Sequence, residues 1–242
     1  MTLSPPDWTS VKSGGVGTLR PRNSNDFSIK DGEMTQVVDR QARIEARSRD
    51  KFQAKRDELA MATLTTLAEL GYARTSLREI AQNSEYSHGV LHYYFTDKLD
   101  LIAHAVRQYE AVCVTRYDEA VANATDAAHL RDEFADTFFA GMHSEASIHR
   151  LWYDLRNQSM FDDSFRSDVI EIESRREEMI WRVVERYCEL SGTTPVVTPA
   201  VAYIALDGIF QRGLLSEIDG RPEGVANARL DLIAFFDVVG HH

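Results

Sequence analysis

The chain has 242 residues, an apolar fraction of 43% and a formal net charge of −11. That length suits one large domain or two smaller ones, and the apolar fraction is ordinary for a soluble globular protein. No apolar run approaches the roughly 20 residues needed to cross a bilayer, so the expectation is a protein without a membrane span.

The N-terminal segment MTLSPPDWTSVKSGGVG has neither a basic start nor a continuous apolar stretch, and it does not read as a secretory signal. Cys113 and Cys188 are the only cysteines. They have no CxxC or Cys/His spacing, which points to a reducing, cytoplasmic setting with no disulfide framework and no zinc. The charge is unevenly spread. Residues 1–39 carry 4 basic and 5 acidic groups, residues 40–105 carry 10 and 9, and residues 106–242 carry 13 and 24. The acidity therefore belongs to the C-terminal part, and a phosphate-facing surface is compatible with it if that part lies away from the duplex.

Residues 1–35 are rich in Ser, Pro, Gly, Asn and Asp, which predicts a disordered tail. Met34 is an alternative start to Met1. Val37 to Leu70 then reads as helix, with Leu59, Thr63, Leu67 and Leu70 on one stripe and Ala60 and Leu64 beside it. The basic run Arg40, Arg43, Arg47, Arg49, Lys51, Lys55 and Arg56 lies on this helix. It is either a solvated face or a phosphate contact.

Gly71 closes the helix as a C-cap. Ser76-Leu77-Arg78-Glu79 is a capping box that opens a second helix ending near Asn83. Ser87 caps a short third helix through Tyr94, and Thr96 or Asp97 caps a fourth that turns Leu101, Ile102, Ala105, Val106 and Tyr109 inward. The third helix starts with small or polar groups and ends in aromatics, as a helix does when its first turn must enter the major groove.

Beyond Ala124 helices are expected near 128–143, 146–160, 163–191, 198–219 and 223–239, with breaks at Gly192, Pro195 and Asp219-Gly220-Arg221-Pro222. No strand alternation is evident. The fold class is all-α: an N-terminal three-helix helix-turn-helix domain and a larger C-terminal bundle.

The elements Gly71-Tyr72, Thr75-Ser76, Ile80-Ala81, Ser87-His88-Gly89-Val90-Leu91-His92-Tyr93-Tyr94-Phe95, Lys98 and Leu101 stand in register over 31 residues. In this they resemble the TetR family of bacterial transcriptional repressors. The resemblance is specific for residues 50–105, and beyond them it is one of layout alone. Two positions depart from the family pattern. Glu85-Tyr86 fills the turn where the family usually has Gly-Val, and His92 replaces a tyrosine, which makes a phosphate contact there pH-sensitive.

The resemblance implies a tail (1–35), a DNA-binding domain (36–105) and a domain for ligand binding and dimerisation (106–242). The implied partners are a double-stranded DNA operator, a small-molecule effector and a second copy of the chain, with no cofactor. His88, Val90 and Tyr93 are the candidates for base edges, since imidazole can donate to guanine and valine can touch a thymine methyl. Gly89 either lets the backbone approach DNA or marks a close helix crossing. Ser87, His92, Tyr94 and Lys98 are candidate phosphate contacts, and Thr75, Ser76 and Arg78 would hold the opposite strand.

Helix 198–219 is apolar nearly all round, so one face needs a partner outside its own bundle unless the helix is simply buried. Ile204, Gly208, Gln211, Leu215, Phe235 and Phe236 are the candidate dimer residues. The aromatic-rich middle is either plain core or a ligand pocket, with Trp152, Arg156, Met142, Phe138 and Tyr153 as candidate lining. Arg156 would read an anionic ligand or pair with Asp154 or Asp163. An enzyme finds little support, because no nucleophile motif, HExxH, phosphate loop or Glu-x-x-His pair is present. The alternative class is a helical-bundle adaptor or enzyme without DNA binding, which Glu85 and the acidity keep open.

Overall fold

A computed structural model of the protein describes residues 25–71 and 75–241, with side chains for Arg40 and from Arg43 onward. The expected tail lies, for residues 1–24, outside the described residues, as do Tyr72 and His242. The chain divides into two compact units, Met1–Asp50 and Lys51–His242. Of the first, the described part is the start of helix α1 (Asn25–Leu70), which begins ahead of the expected Val37 and exposes Arg43, Arg47 and Arg49.

The second unit contains the rest of α1 and, in order, α2 (Leu77–Gln82), α3 (His88–Tyr94), α4 (Lys98–Cys113), α5 (Asp118–Asn123), α6 (Ala127–Ser144), α7 (Ala146–Gln158), α8 (Arg166–Ser191), α9 (Pro199–Ile218) and α10 (Pro222–Val238). Among the described residues no helix is long and apolar enough to cross a membrane.

The boundaries follow local chemistry. The Ser76 side chain accepts from Glu79 N at 3.2 Å, Ser87 from Val90 N at 3.3 Å, and Asp97 from Leu99 N and Asp100 N at 2.8 and 2.9 Å. Each satisfies backbone donors that the first helical turn leaves orphaned. Asp126 and Thr198 do the same for α6 and α9, and Pro199 occupies the first turn of α9. Gly71 closes α1 at φ 75°, the left-handed region that a side chain would strain.

Two elements differ from the sequence expectation. α5 is a separate six-residue helix with no side-chain cap, too short to show a periodicity. Thr194–Pro195 (β1) pairs antiparallel with Gly240–His241 (β2), a two-residue ladder that fastens the α8–α9 link to the chain's end. So short a ladder leaves no alternation to read.

One core runs through the second unit. Leu59, Leu64, Leu67, Leu77, Ile80, Leu91, Phe95, Leu101 and Ile102 fill its head, and Val106, Phe134, Trp152, Ile172, Val183, Leu206, Leu232 and Phe236 continue the cluster into the body. α4 contributes to both parts, so the expected boundary near residue 105 falls within this helix. Cys113 and Cys188 are buried thiols.

Candidate nucleic-acid interface and ligand cavity

In the head, α2 and α3 are held by what lies behind them. The Thr66 hydroxyl donates to the carbonyl of Asn83, the C-cap of α2, at 3.1 Å. Tyr86 packs half-buried against the core and its hydroxyl lies 3.3 Å from Glu58 Oε1. The bulky turn residue is thereby accommodated, and Glu85 beside it is exposed. Of the basic run, Arg56 is pinned to Asp100 at 2.5 Å and lies over the Phe95 ring, and Lys55 pairs with Glu58 at 2.6 Å. Arg56 thus braces α1 against α4, and the Lys55 ammonium lies 5.6 Å from the centre of the Tyr86 ring in the turn.

α3 buries Leu91 and, at its C-cap, Phe95, as a core face requires. Its other face points outward. His88, Gly89, Val90 and His92 are exposed, and Tyr93 is 71% exposed. The His88 and His92 rings meet edge to face at 4.3 Å. A Cβ built on Gly89 would find nothing within 4 Å, so this glycine does not serve a helix crossing. Tyr94 is half-buried, tilted against Phe52 at 4.8 Å. Lys98 stands at the first position of α4, whose amide-rich start favours an anion. Ser76 and Arg78 are exposed, but Thr75 is buried and its hydroxyl donates to the Gly71 carbonyl. Thr75 is thus tied back to the end of α1, and its side chain is not presented to a partner.

The body holds a cavity of about 60 Å³ between α4 and its following turn, α6, α7, α8 and α9. Of the five lining candidates it includes Phe138 and Tyr153. The other three have different places. Trp152 is fully buried and stacks under the Arg176 guanidinium at 4.3 Å. Met142 is buried against Gly213, where an added Cβ would lie 2.8 Å from its Cε. Arg156 pairs with Asp207 at 2.6 Å and Glu173 at 3.0 Å, not with Asp154 or Asp163.

The remaining lining includes Cys113, Arg116, Tyr117, His149, Arg176, Tyr203, Asp207 and Phe210. Sequence reasoning passed over Arg176 and Asp207, each a lone charge on an inward apolar stripe: Ile172, Arg176, Ile180 on α8 and Tyr203, Leu206, Asp207, Phe210 on α9. A charge at such a position signals a buried partner or a ligand.

The charges around this cavity are mutually satisfied. Arg176 meets Glu110 with Nε at 2.8 Å and with Nη2; burial opposes its charge, and Glu110 outweighs burial and raises its pKa. Arg116 Nη2 reaches Glu145, which also accepts from the Tyr109 hydroxyl. Burial pushes the Cys113 thiol up to about 11, so it stays protonated. Burial first, and then the Arg176 and Arg116 charges, push His149 down to about 3, so its imidazole is neutral. Its Nε2 lies 3.8 Å from Glu145, beyond hydrogen-bond reach.

α7 connects this cavity to the head. His149 and Tyr153 line the cavity. Arg150 between them donates Nη2 to the Ala68 carbonyl at 2.8 Å, at the end of α1 just before Gly71.

On α9, Val201, Ile204, Leu215 and Ile218 are exposed, Ile204 by 65% and Leu215 by 60%, and Gln211 lies on the same stripe. Gly208 has open space where a Cβ would stand. α10 adds exposed Leu230 and Val238. Phe236 departs from the expected dimer set. It is 1% exposed, among the rings of Tyr187, Phe134 and Phe235, because Ala228, Leu232, Phe236 and Val239 form the inward stripe of α10. Phe235 is half-buried beside it.

Residues 61–105 match the family described as bacterial regulatory proteins, tetR family. The chain is 24% identical over 173 residues to the HTH-type transcriptional regulator BetI of Vibrio vulnificus, covering 71% of this chain and 84% of that protein. It is 25% identical over 186 residues to the HTH-type transcriptional repressor KstR2 of Rhodococcus jostii, covering 64% and 91%. The fold is similar to that of a transcriptional regulator from Saccharomonospora viridis solved in complex with choline, at TM-score 0.63 and 15% identity over 78% of this chain and all of that one. The capped helix pair in the head and its match to the family lead to one conclusion: residues 61–105 form a DNA-binding head of the type found in the tetR family of bacterial regulatory proteins, and the similarity to two transcriptional regulators extends from it into the helical body.

Proposed function

We propose that this regulator is a cytoplasmic repressor that grips a duplex DNA operator with α3 and releases it when a small molecule occupies the body cavity. The observation that carries the DNA reading is the outward face of α3. His88, Val90, His92 and Tyr93 project from a helix capped by Ser87 and backed by Leu91 and Phe95, within the matched stretch. In this reading His88, Val90 and Tyr93 read base edges, and Gly89 lets the backbone come close. Ser87, His92, Tyr94, Lys98, Ser76 and Arg78 hold phosphates and set the register. Thr75 acts through its bond to Gly71 at the end of α1.

Repression is supported by the name of the Rhodococcus relative, and a bound effector by the choline complex of the structural neighbour. Release would run through α7, since a ligand that moves His149 and Tyr153 also moves Arg150 at the end of α1. Its effect on DNA affinity equals its preference between the holding and released states.

A second copy of the chain is the proposed cover for Val201, Ile204, Gly208, Gln211, Leu215 and Ile218, with Leu230 and Val238 beside them. Their spacing of three and four residues makes one continuous helix face, and a two-fold pair would present two α3 helices to a pseudo-palindromic site. The test is fluorescence anisotropy with the full chain and random duplex DNA at low salt. Measurable binding, weakened when Arg78 and Lys98 are both changed to Ala, is expected. No affinity for any duplex would overturn the DNA reading in favour of an adaptor or an enzyme. Leu215→Glu should leave monomers in sedimentation, and a wild type that is itself monomeric would dismiss the dimer.

A further inference from the structure

The chemistry of the cavity narrows what can occupy it. Two side chains facing it are more than nine-tenths buried and have polar atoms with no hydrogen-bond partner of good geometry: both ring nitrogens of His149 and the hydroxyl of Tyr203. Buried polar groups in native proteins are normally paired, and an imidazole and a phenol whose polar neighbours, Gly141 and Glu173, are not placed for good hydrogen bonds can turn to ligand atoms.

The charges at the wall are asymmetric. Arg116 and Arg176 both reach the lining, and their carboxylate partners Glu145 and Glu110 do not. The one carboxylate in the lining, Asp207, is already claimed by Arg156 at 2.6 Å and by the Tyr153 hydroxyl at 2.8 Å. A guanidinium has five donors, so each arginine can serve a ligand beside its own carboxylate. The remaining wall, with Phe138, Phe210 and Ile180, is apolar.

From this arrangement we infer that the effector is a small carboxylic acid with a compact apolar body, its carboxylate received by Tyr203, His149 and the two arginines. The inference rests on the effector reading above and deepens it. A quaternary ammonium would suit the rings, but it would meet two guanidiniums and a carboxylate already engaged. A neutral amide would satisfy the hydroxyl and the imidazole yet gain nothing from the positive wall. The choline of the structural neighbour is therefore not expected here.

The test is calorimetric titration of the full-length protein with propanoate, pentanoate and benzoate, with their three amides, and with choline. At least one acid should bind at least tenfold more tightly than its amide, and choline should not bind. Tyr203→Phe removes a hydroxyl whose one neighbour, the Glu173 carboxylate, is not placed for a hydrogen bond of good geometry and is already paired with Arg156, so the variant should fold as the wild type does. It should weaken the acid about tenfold and leave DNA affinity unchanged. His149→Phe, which fills part of the cavity, should abolish acid binding, and Tyr203→Phe decides the matter if that variant does not fold. Equal or tighter binding of an amide or of choline overturns the inference, as does failure of all three acids to bind, or acid binding indifferent to Tyr203→Phe. The same probes are added to the protein–DNA complex. If an amide or choline releases DNA, the effector reading stands and only the carboxylate is wrong. If nothing that fills the cavity alters DNA affinity, the effector reading itself falls.

Discussion

The DNA-facing head and the cavity below it are built in opposite ways. In the head, the outward residues His88, Val90, His92 and Tyr93 lie within a single seven-residue helix, positioned by a cap three residues from its bond partner and by core residues on the same turn. The cavity gathers single residues from elements up to 97 positions apart, Cys113 to Phe210, and steadies them with ion pairs such as Arg176–Glu110, 66 positions apart in sequence. A site written locally can lose a side chain and keep its fold. A site assembled from distant charges makes binding and stability depend on the same atoms.

The largest expected effect breaks that coupling in the body. Arg176→Met leaves Glu110 buried at 1% side-chain exposure with no counter-charge and removes the cation stacked on Trp152. Denaturant unfolding should show a loss of about 3–5 kcal/mol. Adding Glu110→Leu should recover most of it, because an apolar pair replaces the stranded charge. If the single variant costs no more than a surface substitution, the pair is not the structural element described here.

The next effect depends on pH. His149 is held near 3 in the folded protein and returns to about 6.5 when unfolded. Between those values the unfolded chain binds a proton that the folded chain refuses, so stability is full above about 6.5 and falls as pH drops toward 3. The part lost between pH 7 and pH 5 is on the order of 2 kcal/mol. Glu145 is also shifted, downward. Burial would raise it, but the bonds from Tyr109 and Arg116 prevail, so its contribution is lost at lower pH than this comparison samples. His149→Phe should lower stability less between pH 7 and pH 5 than the wild type does. An unchanged difference would mean that His149 is protonated in the fold.

The same contrast governs what could be read from the sequence. The helices of the head, their caps at Ser76, Ser87 and Asp97, the turn at Gly71 and the burial of Leu91 and Phe95 were legible, because each signal lies within four residues of its effect. The long helices of the body were legible for the same reason. The cavity was half legible. Phe138 and Tyr153 came from an aromatic cluster, but Trp152 and Met142 belong to that cluster and are sealed in core. Which aromatic faces the void depends on helix rotation set by partners such as Arg176 and Gly213, and no local pattern carries that. Phe236 was misplaced likewise: α10 is apolar on two sides, and only its packing on α9 and α6 settles which side is inward.

A smaller effect probes the local design directly. Ser87→Ala deletes the side-chain acceptor for Val90 N and should cost about 1 kcal/mol of stability. It should weaken DNA binding by more than that loss alone would unfold, since fraying the first turn of α3 displaces His88 and Val90. Anisotropy at a temperature where both proteins are fully folded separates the two contributions.

The smallest effect on stability falls at Lys98, and there the head can be tested apart from the fold. The residue opens α4 behind the Asp97 cap, where the helix start and the ammonium favour the same anion. Lys98→Ala should leave the unfolding midpoint close to that of the wild type. If the ammonium neutralises one phosphate, binding to every duplex should weaken alike, and the slope of log affinity against log salt should shrink by about 1. Specificity between sequences should persist, because the α3 residues proposed to read base edges are untouched. An unchanged salt slope would remove Lys98 from the phosphate contacts and leave the grip to Tyr94, Ser87 and Arg78. A shifted midpoint would show that this position is bound into the fold as tightly as the cavity charges are, and the division between a locally written head and a globally assembled body would not hold there.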